Sequence, residues 1–186
     1  MQNPAFGLNI LENSNLFDGL RGWYPLGSCS LSVATGSPHT LPPAAQESLG
    51  WQQSLSGNYI LATNRKQTWE GPAQTFTEKL KVFLTYQVTA WVRVGSGGTG
   101  AQNVNVAISV DNMWVNGGQV QADVHLWREV AGSFRLETKP SNVMVYVQGP
   151  SPGVDLMVAG LQIFPVDQKA RFEHLKKQTE KVQSQA

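Results

Sequence analysis

The chain has 186 residues, a net charge of +1 and only 15% charged side chains, which leaves neither a basic footprint for nucleic acid nor an acidic run for storing cations. That length accommodates one domain plus an appendage, and such a domain buries enough surface to fold without a metal or a covalent staple. Cys29 is the sole cysteine, so no internal disulfide forms and no redox compartment is declared.

Short runs rich in Val, Thr and aromatics, separated by turn residues, predict an all-β domain up to about residue 165. The N-terminus lacks the basic and apolar regions of a secretory signal, and no apolar run approaches the roughly 20 residues of a membrane span. In chain order the expected strands are Leu8 to Leu11, Cys29 to Val33, Tyr59 to Thr63, Ala73 to Phe76, Phe83 to Val94, Val104 to Val110, Gln119 to Val124, Trp127 to Leu136, Val143 to Gln148 and Asp155 to Phe164. About ten strands in one domain require two packed sheets or a closed barrel. Turns are expected at Gly95 to Gly98, at Asn116-Gly117-Gly118 and at Gly149 to Gly153. Gly36 to Gln53 is Pro- and Ser-rich without periodicity and reads as a long surface loop with Trp51 near its end. After Pro165 the composition changes: Phe172, Leu175, Thr179 and Val182 recur at helical spacing, so residues 166–186 are expected to form a charged linker helix whose narrow apolar stripe packs on this domain or leads to another.

Three of the strands alternate apolar residues with amides, hydroxyls and aromatics. Off-core positions read Gln87, Thr89, Trp91, Arg93 on one, Asn103, Asn105, Ala107, Ser109 on the second, and Asn142, Met144, Tyr146, Gln148 on the third. A solvated sheet face usually carries Lys and Glu, whereas these stripes carry neutral hydrogen-bonding groups suited to an uncharged polyhydroxylated ligand such as a sugar.

Catalytic chemistry finds little support. There is no Gly-x-Ser-x-Gly elbow, no His-Glu-x-x-His or Cys-x-x-Cys, and His39, His125 and His174 lie in dissimilar settings. Gly95 to Gly100 joins two strands with no helix behind it, so it reads as a hairpin and not as a phosphate cradle. Sugar hydrolysis would need two carboxylates across the bond, but Glu70, Asp111, Asp123, Glu129 and Glu137 show no distinguishing spacing. Trp69 is different: it stands in the polar connection Asn64 to Pro72, with no obvious core to enter, and an indole face is a surface on which a sugar ring stacks. The alternative is that Trp69 plugs the sandwich edge. Trp23 and Trp127 read as core, while Trp91 and Trp114 are intermediate.

These residues carry a resemblance. The chain resembles a family 22 carbohydrate-binding module of the plant form attached to family 10 endo-1,4-β-xylanases, through Leu11 to Asn15, Gly22-Trp23, Asn64-Arg65, Thr68-Trp69-x-Gly71-Pro72-Ala73-Gln74, Tyr86 to Arg93, Val145-Tyr146-Val147-x-Gly149-Pro150 and Gly153-Val154-Asp155. Phe164 to Asp167 with Phe172-Glu173-His174 resembles the lead-in to the catalytic barrel of those enzymes, which is itself not in this chain. The resemblance implies a jelly-roll β-sandwich whose cleft binds a xylan chain, an extracellular setting in the cell wall, and an appended family 10 catalytic domain as partner. The family's cleft Trp falls on Trp69. Its cleft carboxylate falls on Gln148 and its Arg near Leu26, two departures that exchange charges for neutral groups, and Trp114 is the candidate for a second aromatic wall. The ligand-binding set expected is Trp69, Tyr146, Gln148, Trp114, Trp91, Asn105, Gln87 and Arg65, with no catalytic residue and no cofactor. Related modules hold a structural calcium at places that fall on Phe17 and Ala159 here, so only Asp18 and Asp155 keep such a site open. The rival expectations are a domain that stabilises a xylanase with little sugar affinity and, further off, an independent glycosidase.

Overall fold

The computed structural model describes residues 9–35 and 57–166. The expected loop from Gly36 to Gln53 with His39 and Trp51 lies outside the described residues, as does the expected terminal helix with His174, Val166 apart. Ten strands are described: β1 (Tyr24–Leu26), β2 (Ser30–Thr35), β3 (Asn58–Thr63), β4 (Gly71–Thr75), β5 (Thr85–Val94), β6 (Gln102–Val110), β7 (Met113–Ala122), β8 (Arg128–Arg135), β9 (Val143–Gln148) and β10 (Leu156–Pro165). They form two five-stranded antiparallel sheets, ordered β1-β4-β9-β6-β7 and β2-β3-β10-β5-β8. This is the all-β sandwich of jelly-roll type that the sequence predicts.

Period-two alternation builds the core. Val88, Ala90, Val92 and Val94 of β5 face Val104, Val106 and Ile108 of β6 and Val143, Val145 and Val147 of β9, all essentially sealed from solvent. Each such side chain contributes roughly 1.5–3 kcal/mol of burial. On β10 the alternation slips at an irregularity between Ala159 and Gln162, so that the inward set passes from Leu156 and Val158 to Leu161 and Ile163.

The structure corrects three local expectations. Residues 9–11 form no strand, because the Asn9 side chain accepts hydrogen bonds from the Leu11 and Ile163 amides (3.1 and 3.0 Å) and so competes with a regular ladder. The pair Asp111-Asn112, not Asn116-Gly117-Gly118, makes the turn between β6 and β7, both residues having positive φ (50° and 69°) as a two-residue hairpin requires. Gly117 and Gly118 lie inside β7, at a register shift opposite Asn105 and Ala107. There they let β7 close against β8 of the other sheet: a Cβ on Gly118 would stand 2.7 Å from the Ala131 carbonyl oxygen. The strand β1, too short to show a periodicity, is the third.

Candidate functional site

The register of the first sheet aligns its outward residues into rows that cross the strands. One row is Tyr24, Ala73, Tyr146, Ala107 and Asn116, taken from β1 through β4, β9 and β6 to β7. On one side of it lie Thr75, Met144, Ser109 and Trp114, and on the other Gln148, Asn105 and Gln119, followed by Asn103 and Gln121. These rows contain no Asp, Glu, Lys, Arg or His. Two edges of the face carry exposed rings, with Trp114 at 53% exposure on β7 and Tyr24 at 36% on β1. Four strand spacings of about 4.8 Å separate those edges, so the face spans about 19 Å, enough for several sugar units in a row.

Much of the polar capacity of this face is unspent. The Asn103 amide donates to Asn105 Oδ1 at 3.0 Å, which leaves the Asn105 amide nitrogen for another acceptor. Burial alone raises the pKa of Tyr146, so its hydroxyl stays protonated well into alkaline solution. Gln148 lies directly across the ladder from Asn105, and an amide at that point both donates and accepts, as a sugar hydroxyl does.

The end of the sheet beyond Gln148 is built by the connection from β3 to β4. Arg65 is buried and spends its guanidinium on five backbone carbonyls: Nε on Glu70 (2.8 Å), Nη1 on Ser151 and Val154 (3.1 and 2.9 Å), and Nη2 on Thr68 and Pro150 (2.8 and 2.9 Å). No N–H remains for a ligand, so Arg65 is a brace between two loops and not a contact residue. Glu70 is also buried, its carboxylate accepting from the Ser28 amide (2.7 Å), the Ser28 hydroxyl (3.1 Å) and the Lys66 amide (3.0 Å). Burial pushes its pKa up, but those hydrogen bonds outweigh it and hold the carboxyl below its ordinary value. Between these two anchors Trp69 stands 45% exposed, packed by its ring edge on Gly27, where a Cβ would lie 2.8 Å from Trp69 Cζ3. At this end of the sheet a depression of about 300 Å³ is lined by Thr68, Gln102, Asn103, Asn105 and residues 149–151. The Gly149 amide donates to the Thr68 carbonyl at 2.8 Å, closing this rim onto the end of β9.

The structure thus brings Tyr146, Gln148, Asn105 and Trp114 to one face, and sets Trp69 in the connection that leads into β4, against Gly27. Gln87 and Trp91 it does not bring there, because β5 belongs to the second sheet. Trp91 is 8% exposed, packed with Trp127, Ala159, Tyr59 and Met157 on that sheet's outer side. Neutral stripes that look alike in sequence lie on opposite sides of the sandwich. Asp18 is paired with Arg21 at 2.9 Å, two residues beyond Leu16, whose carbonyl meets Asn58 at the start of β3. Asp155 precedes β10, whose Leu156 pairs with Ala62 near the end of β3, and burial raises its pKa despite the Arg65 charge. The two carboxylates therefore stand toward opposite ends of the sandwich, Phe17 and Ala159 offer no side-chain oxygen, and no group of three His, Cys, Asp or Glu gathers among the described residues. These residues do not fit a calcium site that draws on both aspartates, since a hard cation takes about six to eight oxygens. Of the carboxylates considered for hydrolysis, Glu70, Asp111 and Asp123 all accept backbone amides in loops.

Residues 8–153 match the family described as "Carbohydrate binding domain". The chain belongs to that family. Endo-1,4-beta-xylanase 1 of Arabidopsis thaliana is 62% identical over 183 residues, 98% of this chain but 19% of the relative's own length. Endo-1,4-beta-xylanase 3 of the same plant is 58% identical over 97% of this chain and 25% of its own length. The module thus spans about a fifth to a quarter of these two relatives. Among solved structures, the CBM22-1 xylan-binding domain of Xyn10C from Paenibacillus barcinonensis superposes with a TM-score of 0.65 at 14% identity, covering 87% of this chain and 95% of that one. The resemblance to a family 22 module is borne out, and the chain is a carbohydrate-binding module.

Tyr24, Thr68 and Gln102 are among the residues of this region that escape the sequence reading. Tyr24 belongs to a three-residue strand, too short for alternation to register. Thr68 sits in the turn before β4 and Gln102 at the start of β6, and they enter the depression only through the fold of the loops around them. The one available signal was the inward Trp23, whose neighbour Tyr24 must then point outward.

Proposed function

We propose that the module binds β-1,4-linked xylan along the outer face of the first sheet and concentrates an attached xylanase catalytic domain on that polysaccharide in the plant cell wall. The observation that carries the reading is the rows themselves: rings at Tyr24, Tyr146 and Trp114 set among uncharged amides and hydroxyls, with Trp69 half-exposed in the connection that leads into β4. A pyranose chain offers apolar C–H faces to rings and equatorial hydroxyls to amides, and both kinds of partner are present in alternation. A face without charge suits a neutral backbone, because no ion must be desolvated when it binds. The plant xylanases and the xylan-binding domain similar to this chain support xylan as the ligand and a glycoside hydrolase as the parent.

Titration calorimetry with xylohexaose and cellohexaose tests the reading. Xylohexaose is expected to bind with micromolar to millimolar affinity, about −4 to −8 kcal/mol, and to lose that affinity in Trp69→Ala. A folded wild-type module that binds neither oligosaccharide contradicts the reading and leaves a stabilising domain in its place.

A further inference from the structure

We infer that Tyr24 is a second stacking platform for the bound chain, lying flat on the β1 side of the face and making a continuous aromatic floor with Tyr146. The inference rests on the polysaccharide-binding reading and adds a contact residue to it.

Three observations carry it. Tyr24 shares its row with Ala73 and Tyr146, so all three leave the sheet on the same side. Its hydroxyl lies 2.8 Å from Thr75 Oγ1 on β4 and 3.4 Å from Met144 Sδ on β9. A hydroxyl that reaches a β9 side chain from β1, across two strand spacings of about 4.8 Å each, places its ring over β4 rather than upright in solvent. Ala73, directed outward between the two tyrosines, has 0% exposure, as a residue roofed by its neighbours must. Yet Tyr24 itself is 36% exposed, so the side of the ring turned away from Ala73 remains open.

The polar tip of Tyr24 is already engaged. With Thr75 donating to the phenolic oxygen and the phenol donating to the Met144 sulfur, the hydroxyl uses its hydrogen and one lone pair within the protein. What it offers a ligand is therefore the ring face, held in place before binding, which lowers the ordering cost of the contact. Ala73 is the permissive residue: a larger side chain there would lift the ring off the sheet.

Titration of xylohexaose into Tyr24→Ala, Tyr24→Leu and Tyr24→Phe tests the inference, with thermal melts to confirm folding. Both Tyr24→Ala and Tyr24→Leu are expected to weaken binding about tenfold, the leucine variant serving as the folded control because it still covers Ala73. Tyr24→Phe should keep the wild-type affinity within about twofold, since the ring and not the hydroxyl makes the contact. Wild-type affinity in folded Tyr24→Leu overturns the platform while leaving xylan binding intact. A tenfold loss in Tyr24→Phe overturns it in favour of a hydroxyl contact. If the wild-type module binds neither xylohexaose nor cellohexaose, the platform and the functional reading fall together.

Discussion

The two outer faces of the sandwich carry similar residue types and put them to opposite uses. On the first sheet, Trp114 is half-exposed and Gln148, Asn105 and Tyr146 keep hydrogen-bonding capacity in reserve. On the second, Trp91 and Trp127 are buried in a cluster with Tyr59, whose ring meets Trp127 edge-on at 5.5 Å, and Arg93 gives two N–H groups to the Val124 carbonyl (3.0 and 2.7 Å). Aromatic content alone does not mark a binding face. Exposure and unspent valence do, because a ligand gains only from groups that the fold has not already satisfied.

The sharpest way to break this contrast is to remove a tryptophan from each side. Trp69→Ala is expected to weaken xylohexaose binding about thirtyfold or more, ~2 kcal/mol, with little change in melting temperature. Trp91→Ala should do the reverse, leaving a cavity that costs about 3–5 kcal/mol of stability while the folded protein binds as wild type. Calorimetric titration and scanning calorimetry on both variants decide between the faces. Arginines provide a second pair. Arg65→Lys replaces a five-donor fork with a point charge of three donors and leaves buried carbonyls unpaired, so stability should fall by about 2–3 kcal/mol and affinity should fall with the loosened rim. Arg93→Lys should leave affinity unchanged.

Smaller effects sharpen the same comparison. Gln148→Ala and Asn105→Ala should each weaken binding about fivefold, ~1 kcal/mol, whereas Gln87→Ala on the second sheet should not register in the titration. Affinity should also be flat between about pH 5 and 9, since no carboxylate or amine lies in the rows and Tyr146 titrates above the ordinary tyrosine value of about 10. Stability should not be flat on the acid side. The native pKa of Glu70 is lowered, so its contribution is fully present above the ordinary glutamate value of about 4.3 and is lost as pH falls through the lowered native one. Thermal melts of Glu70→Gln should show a shallower acid dependence than wild type.

The strands were legible where alternation ran long. β5, β6, β8, β9 and β10 each extend over six to ten residues with an inward set of valines or similar residues, and their positions follow from that pattern. The pairing of strands was not legible, because period two assigns a residue to a side of its own strand and says nothing about which sheet receives the strand. That is why Gln87 and Trp91 joined the stripe of Asn105 and Tyr146 in the sequence reading. Arg65 misled for a related reason: an arginine in a polar loop reads as a ligand contact until the five carbonyls around it are seen. Asn116-Gly117-Gly118 has turn chemistry, and only the approach of β8 explains its place inside a strand.

The central claim, that the first sheet's outer face and not the second's takes the sugar chain, is tested most directly by the tryptophan indole N–H resonances of the labelled module during titration with xylohexaose. The account predicts progressive shifts for Trp69 and Trp114 and fixed positions for Trp23, Trp91 and Trp127. Shifts at Trp91 and Trp127, with Trp69 and Trp114 unmoved, would contradict it.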